Sequence, residues 1–333
     1  MKAAVLEAPK PIEQKPLSVV EAPPPEPGVG QVRIRVRVCG MCHTDLHTVE
    51  GELPLPKLPL IPGHQVVGEV DALGPGTSGL AVGERVGVPW LHSTCGRCEY
   101  CLASLENLCE AAVFTGYHVD GGYAEYMVAP AGFCCRIPEA YPDTSAAPLL
   151  CAGVIGYRAL KLSEVKPGQI LGLFGFGASA HIAIQVARYW GCRCYVFTRS
   201  PHHQALAREL GAEWVGRAEE QPPEKLHSAV VFAPAGALIP AALEKLRRGG
   251  VLAVASIYTD PIPQMDYGQH LYYERTLRSV TAATRKDAEE LLELAPKVPI
   301  RTEVQTFRLE EINEALCTLK QSGLRGAGVI VMG

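Results

Sequence analysis

The sequence predicts an α/β protein of two domains: a β-rich, partly barrel-like lobe and a doubly wound nucleotide-binding domain. Three observations carry that reading. With 333 residues, 47% of them apolar, the chain exceeds the size at which one core keeps growing and holds enough apolar material for two. The first third is strand and turn material. After about residue 150, strands alternate with helices, as right-handed crossovers of a parallel sheet require.

Residues 32–39 alternate basic with β-branched side chains, and 65–73 and 85–88 are short apolar runs bounded by glycine and proline; all three read as strands. The run Pro23-Pro24-Pro25-Glu26-Pro27-Gly28 reads as a surface loop, because proline removes ladder donors and fixes φ. Further on, 170–174 reads as a buried strand, 178–190 as a helix, 193–198 as a strand and 201–210 as a helix. Segments 229–233, 239–246 and 251–256 continue the alternation, which stops near residue 285. Amphipathic helices at 287–294 and 309–321 flank a strand at 304–307, so the tail is expected to rejoin the first lobe. The expected layout is therefore 1–153, an inserted nucleotide domain at 154–285, and a return at 286–333.

A net charge of -4 and a pI near 6.2 lack the basic excess that nucleic acid or an anionic membrane demands, so neither partner is expected. Twelve cysteines would suit a disulfide framework only in a short exported chain. Residues 1–16 hold no apolar export segment, which points to the reducing cytoplasm. No stretch reaches the roughly 18 consecutive apolar residues that a bilayer crossing needs.

Two constellations carry metal chemistry. Cys95, Cys98, Cys101 and Cys109 stand in C-G-R-C-E-Y-C-L-A-S-L-E-N-L-C. Thiolates at such spacing turn toward one tetrahedral zinc ion at roughly 2.3 Å, closing a loop that has no core of its own. An iron–sulfur cluster is the alternative for a C-x-x-C-x-x-C opening, but the seven-residue gap before Cys109 and the lack of proline after it argue against that. The second constellation is Cys42-His43-Thr44-Asp45-Leu46-His47, Gly63-His64 and a lone Cys151, which could supply two thiolates and an imidazole to a metal with one position left open. Taken singly, Cys151 reads as a core thiol, His47 as a surface residue and Asp45 as a helix cap. Cys39, Cys134, Cys135, Cys192, Cys194 and Cys317 lack metal spacing and read as packing residues.

Gly175-Phe176-Gly177-Ala178-Ser179-Ala180 follows a predicted strand and opens a predicted helix, the setting in which backbone N–H groups and the helix dipole hold a pyrophosphate. The next strand ends in Phe197-Thr198-Arg199-Ser200, with no carboxylate for ribose hydroxyls and with Arg199 suited to a 2′-phosphate, so NADP is favoured over NAD. His202 and His203 read as a solvated helix start whose charge could help the same phosphate.

Assembled, these residues resemble the zinc-containing medium-chain alcohol dehydrogenases. The resemblance runs along nearly the whole chain, through G-M-C-H-T-D, I-P-G-H, V-P-W-L, the four-cysteine loop, D-G-G-Y-A-E-Y, L-L-C-A-G-V and the glycine turn. It implies a GroES-like catalytic domain beside a Rossmann cofactor domain, two zinc ions per chain, and interconversion of primary alcohols and aldehydes with NADP or NAD. Two cysteines and one histidine are the known catalytic zinc set of alcohol dehydrogenases, so Cys42, His64 and Cys151 enter as an implication of the resemblance. Asp45 would orient His64, Thr44 would take the alcohol proton, and His47 would pass it on. Cofactor contacts would come from His43, Gly175, Gly177, Ala178, Ser179, Ala180, Thr198, Arg199, Ser200, Ile257 and Arg325. Trp90 would narrow the substrate pocket.

The chain departs from the family pattern at Gln65, where glutamate usually follows the histidine of G-H, and at Ile155, where a hydroxyl residue is usual. Members are usually dimers or tetramers, and an edge strand near 277–282 is an expected pairing surface. The rival readings are a polyol or secondary-alcohol dehydrogenase of the same superfamily and a zinc-holding thiol sensor without turnover.

Overall fold

Two antiparallel strands, β1 (Lys2–Leu6) and β2 (Leu17–Glu21), open the chain in the computed structural model, which describes residues 1–324 and 326–333. Arg325, the expected pyrophosphate contact, lies outside the described residues. The alternating segment forms β3 (Gln31–Met41). Its Val32, Ile34, Val36 and Val38 are buried. Arg33 and Arg35 face the other way and pair with Asp71 (2.6 Å) and Glu69 (3.3 Å) of β4 (Gln65–Leu73). A period of two thus puts a core on one face of the sheet and ion pairs on the other.

Helix α1 (His43–Glu50) joins β3 to β4. Then follow β5 (Arg85–Val88), β6 (Leu91–Ser93), the single turn α2 (Glu99–Leu102), β7 (Val113–Phe114), β8 (Tyr126–Pro130), β9 (Cys135–Arg136) and α3 (Asp143–Ala146). The nucleotide-type alternation runs through α4 (Ala152–Leu162), β10 (Ile170–Phe174), α5 (Ala178–Tyr189), β11 (Arg193–Phe197), α6 (Pro201–Glu209), β12 (Trp214–Gly216), β13 (Leu226–Val231), α7 (Leu238–Lys245), β14 (Leu246–Val254), α8 (Tyr267–His270) and β15 (Thr276–Ser279). The tail contains α9 (Arg285–Leu294), β16 (Val304–Arg308), α10 (Ile312–Lys320) and β17 (Ala327–Val331).

Packing divides the chain into two units: Met1–Cys151 with Ala282–Pro296 and Thr302–Gly333, and Ala152–Thr281 with Lys297–Arg301. The five residues Lys297–Arg301 go with the second unit, whereas the sequence assigned all of 286–333 to the first. In the first unit, strands order as β16-β17-β3-β4-β5-β9, with β8 also on β3. The last strand returns to the first lobe through antiparallel pairs from Gly328 with Met41 to Val331 with Val38. Leu309, Ile312, Leu316 and Ile330 complete a core begun by Val32, Ile34 and Val66.

The second unit is a parallel six-stranded sheet ordered β12-β11-β10-β13-β14-β15, which reverses direction of growth between β10 and β13. That is the doubly wound order with its ligand crevice at the switch point. β10 is apolar or glycine throughout and wholly buried, as a central parallel strand must be. The strand expected at 251–256 starts at Leu246, which pairs with Leu226 ahead of a register shift. β12 and α8 give no sequence signal, being three and four residues long. Among the described residues no helix is long and apolar enough to cross a membrane.

Candidate metal centres and nucleotide-binding turn

The ends of β3 and β4 build the first centre. Because Gly40 pairs with Gln65, the residues just beyond these ends, Cys42 and His64, come together. Cys151, at the close of a 3₁₀ turn over Ala147–Leu150, completes the set. The Cys42 Sγ and His64 Nε2 lie 3.3 Å apart, His64 Nε2 and Cys151 Sγ 3.3 Å, and the two sulfurs 3.9 Å. A tetrahedral zinc ion sets edges of about 3.8 Å between sulfurs and about 3.5 Å between sulfur and nitrogen. The donors therefore fit zinc in kind and in spacing.

Asp45 serves this centre twice. One carboxylate oxygen accepts the Cys42 N–H at 2.9 Å, closing the start of α1, and the other faces His64 Nδ1 at 3.0 Å. His64 and Asp45 are each only 1% exposed. A proton on Nδ1, held by Asp45, leaves the Nε2 lone pair directed at the sulfurs. Burial opposes charge on His64, but Asp45 and Cys42 outweigh it and push its pKa up to about 10. Hydrogen bonding from Cys151 wins over burial at Cys42 and, with His64, holds it well below the ordinary thiol range; Cys151, as the donor and buried, goes well above it. A cation entering here displaces those protons.

Thr44, buried in the first turn of α1, donates its N–H to Cys42 Sγ at 3.4 Å. His47 follows one turn later, 6.2 Å from the His43 ring centroid, and its Nδ1 pairs with Glu52. Burial keeps His43 below the usual imidazole range. Trp90 presents an edge to His64, with centroids 4.9 Å apart at 72°, and stacks on Phe114 at 4.9 Å and 11°. Tyr117 tilts against the same indole at 5.8 Å, and its hydroxyl donates to the Pro54 carbonyl at 2.5 Å. Sequence reasoning singled out Trp90 but not Phe114, Tyr117 or Glu52. The cluster of aromatics just beyond Cys109 was the available signal for the first two. Gln65 is buried behind His64; its Nε2 has no hydrogen-bond partner among the described residues.

The four-cysteine lobe gathers a second donor set. Cys98 and Cys101 sulfurs lie 3.5 Å apart, Cys95 and Cys101 sulfurs 3.9 Å, and Cys109 Sγ accepts the Cys95 N–H at 3.5 Å. Gly96, at φ +69°, makes the turn that aims Cys95 and Cys98 at one point. Backbone N–H groups of Arg97 and Cys98 lower the Cys95 pKa to about 6. The spacing fits tetrahedral zinc as well. The lobe is tied to its own unit by Glu106, which accepts the Arg285 N–H at 3.1 Å. Of the other cysteines, Cys39, Cys135, Cys192 and Cys194 are buried and Cys134 and Cys317 partly so.

In the second unit, Gly175 at φ +86° follows β10, and a Cβ there would come 2.8 Å from Ala233. Gly177 caps α5, and a Cβ there would meet nothing within 4 Å. The turn is thus tight on the sheet side and open where the Ala178–Ser179–Ala180 N–H groups begin, a cradle that suits a pyrophosphate. Gly156 of α4 packs so closely that a Cβ would lie 3.0 Å from the Ser179 carbonyl. At the end of β11, Thr198 is buried, Arg199 exposed, and Ser200 caps α6 by accepting the His203 N–H at 3.4 Å. Ile257 follows β14 and is 52% exposed.

Residues 28–139 match the family described as alcohol dehydrogenase GroES-like domain, and residues 180–297 match zinc-binding dehydrogenase. The chain is 43% identical to a probable alcohol dehydrogenase of Mycobacterium tuberculosis, covering 100% of this chain and 97% of that protein. It is 39% identical to an alcohol dehydrogenase of Geobacillus stearothermophilus, over 99% of each. Among solved structures, a cobalt- and zinc-bound thermostable alcohol dehydrogenase from Pyrobaculum aerophilum superimposes with a TM-score of 0.90 at 25% identity, covering 99% of both chains.

Proposed function

The chain belongs to the zinc-dependent medium-chain alcohol dehydrogenases, and on that footing we propose that it interconverts primary alcohols and aldehydes with NADP in preference to NAD. The observation that carries this is the Cys42, His64 and Cys151 donor set at tetrahedral spacing, backed by Asp45 and walled by Trp90. Its likeness to the cobalt- and zinc-bound relative supports zinc as the ion, with a second at Cys95, Cys98, Cys101 and Cys109.

Cys42, His64 and Cys151 would hold the zinc, which would supply Lewis-acid polarisation of the alcohol oxygen. Asp45 keeps the His64 ring in one tautomer, so the ligand neither rotates nor carries a proton on Nε2. The Thr44 hydroxyl would accept the alcohol proton as it gives up its own, and His47 would take that proton and pass it toward water; a bound nicotinamide would supply the hydride acceptor. Gly175, Gly177, Ala178, Ser179, Ala180, Thr198, Ser200 and Ile257 of the second unit hold the nucleotide, and Arg199, with no carboxylate beside it at the end of β11, pairs with a 2′-phosphate. Trp90, clamped by Phe114 and Tyr117, favours slender primary alcohols over branched ones. Gln65 leaves a neutral amide where relatives of the pattern carry a carboxylate, one negative charge fewer behind His64. The edge strand β15, last of its sheet, supports a homo-oligomer, dimer or tetramer. Twelve unbridged thiols support a reducing, cytoplasmic setting.

Initial rates with ethanol, butanol, benzyl alcohol and propan-2-ol, each with NADP and NAD, test this reading. Faster primary than secondary alcohols with NADP is the expected result. Faster propan-2-ol would move the protein to the secondary-alcohol branch, and no turnover in either direction would leave the zinc-holding thiol sensor.

A further inference from the structure

Helix α1 ends at Gly51, whose φ of +77° turns the chain back over the helix. Two hydrogen bonds close the turn: the Gly51 N–H donates to the Thr48 carbonyl at 3.3 Å and the Glu52 N–H to the His47 carbonyl at 3.0 Å. This five-to-two and six-to-one pattern brings the second residue past the helix onto the side chain three positions before its last. An apolar contact commonly sits there. Here the two positions are Glu52 and His47, and the Glu52 carboxylate meets the ring at Nδ1. Glu52 therefore grips His47 by its carbonyl and by its imidazole. Pro9 packs against the turn, 2.8 Å from where a Gly51 Cβ would stand.

We propose that Glu52 is a positioning residue of the proton path, accepting the Nδ1–H of His47 and holding the imidazole in the tautomer whose Nε2 carries the lone pair. The inference rests on the reading of His47 as the relay. A proton taken at Nε2 makes an imidazolium whose charge Glu52 balances. Release of that proton from Nε2 to water restores the starting tautomer, so the bond at Nδ1 persists through the cycle. A ring lacking a partner at Nδ1 also populates the form with its proton on Nε2, which cannot accept another there. Glu50, the neighbouring carboxylate, is engaged elsewhere, with Lys320 at 2.8 Å, and Lys320 also holds Glu13 at 2.9 Å.

The test uses the zinc-loaded protein and two readouts. Nitrogen NMR of the neutral His47 ring should place the proton on Nδ1 in the wild type, with the Nε2–H form appearing in Glu52→Ala. The same variant should lower kcat/KM for benzyl alcohol by about fivefold. In a His47→Gln background, removal of Glu52 should cost nothing further. A wild-type proton on Nε2, or the same loss from Glu52→Ala with and without His47, overturns the proposal. A His47→Gln variant as fast as wild type would instead remove the relay reading itself, and the NMR tautomer separates the two failures.

Discussion

The two cysteine-built centres are made from opposite materials. The four-cysteine lobe takes every donor from one short loop whose Cys95 is exposed, and no strand or long helix holds it. The other centre takes donors from residues 42, 64 and 151, where two paired strands and a 3₁₀ turn end, and its His64 and Asp45 are almost wholly buried. A loop of the first kind would owe its shape to a bound ion, because little apolar surface is buried when it closes. A centre of the second kind is shaped by the sheet before any ion arrives. Metal removal should therefore unfold one region and merely silence the other.

The sharpest break of that contrast is Cys42→Ala. Turnover should fall about a thousandfold or more, several kcal/mol of transition-state stabilisation, while the melting temperature stays near the wild-type value. Steady-state rates with calorimetry decide it, and a large loss of stability would mean that this centre too depends on its ion. Next in size, Cys101→Ser should cost about 3 kcal/mol of stability and open the 95–109 loop to protease, with the other zinc retained. Metal analysis and limited proteolysis read both effects. Asp45→Asn should weaken the Cys42 centre alone, by roughly 10- to 100-fold in zinc affinity, measured by competition with a chelating dye. Equal weakening at both centres would sink the tethering role given to Asp45.

The smallest effect concerns the thiols after chelation. Cys95 has its pKa lowered to about 6 by the Arg97 and Cys98 N–H groups, whereas burial pushes Cys134 and Cys135 up to about 12. The thiolate is the nucleophile, so alkylation of Cys95 should be near its plateau at neutral pH and fall about tenfold per unit below pH 6. Cys134 and Cys135 should stay unlabelled throughout. Mass spectrometry of iodoacetamide adducts across pH 5 to 8 reads this, and equal labelling of all three would remove the distinction between exposed and core cysteines.

Legibility in the sequence followed the range of the interactions. The alternation of 32–39 exposed β3 because a strand's two faces are set residue by residue, and the Gly175-Phe176-Gly177 turn exposed the start of α5 because its conformation excludes most side chains. Strand β12 was not readable, because its three residues are a strand only by pairing with β11. Leu246 joined β14 for the same reason, through Leu226. The aromatics beyond Cys109 are legible as a cluster, but that they clamp Trp90 depends on the short pairing of β6 with β7.

Spacing alone determined that Cys95, Cys98, Cys101 and Cys109 can close on one ion, because a short loop limits how far its thiols can separate. It likewise determined that a glycine turn opens α5 and that no carboxylate stands at the end of β11. Only the tertiary structure decided that Cys42, His64 and Cys151 stand at tetrahedral distances, that one Asp45 carboxylate both caps α1 and holds His64, and that Phe114 and Tyr117 fix the indole beside them. Residues remote in the chain meet only where the register of β3 on β4 and the burial of a whole sheet put them, and that register is settled by the summed packing of many side chains.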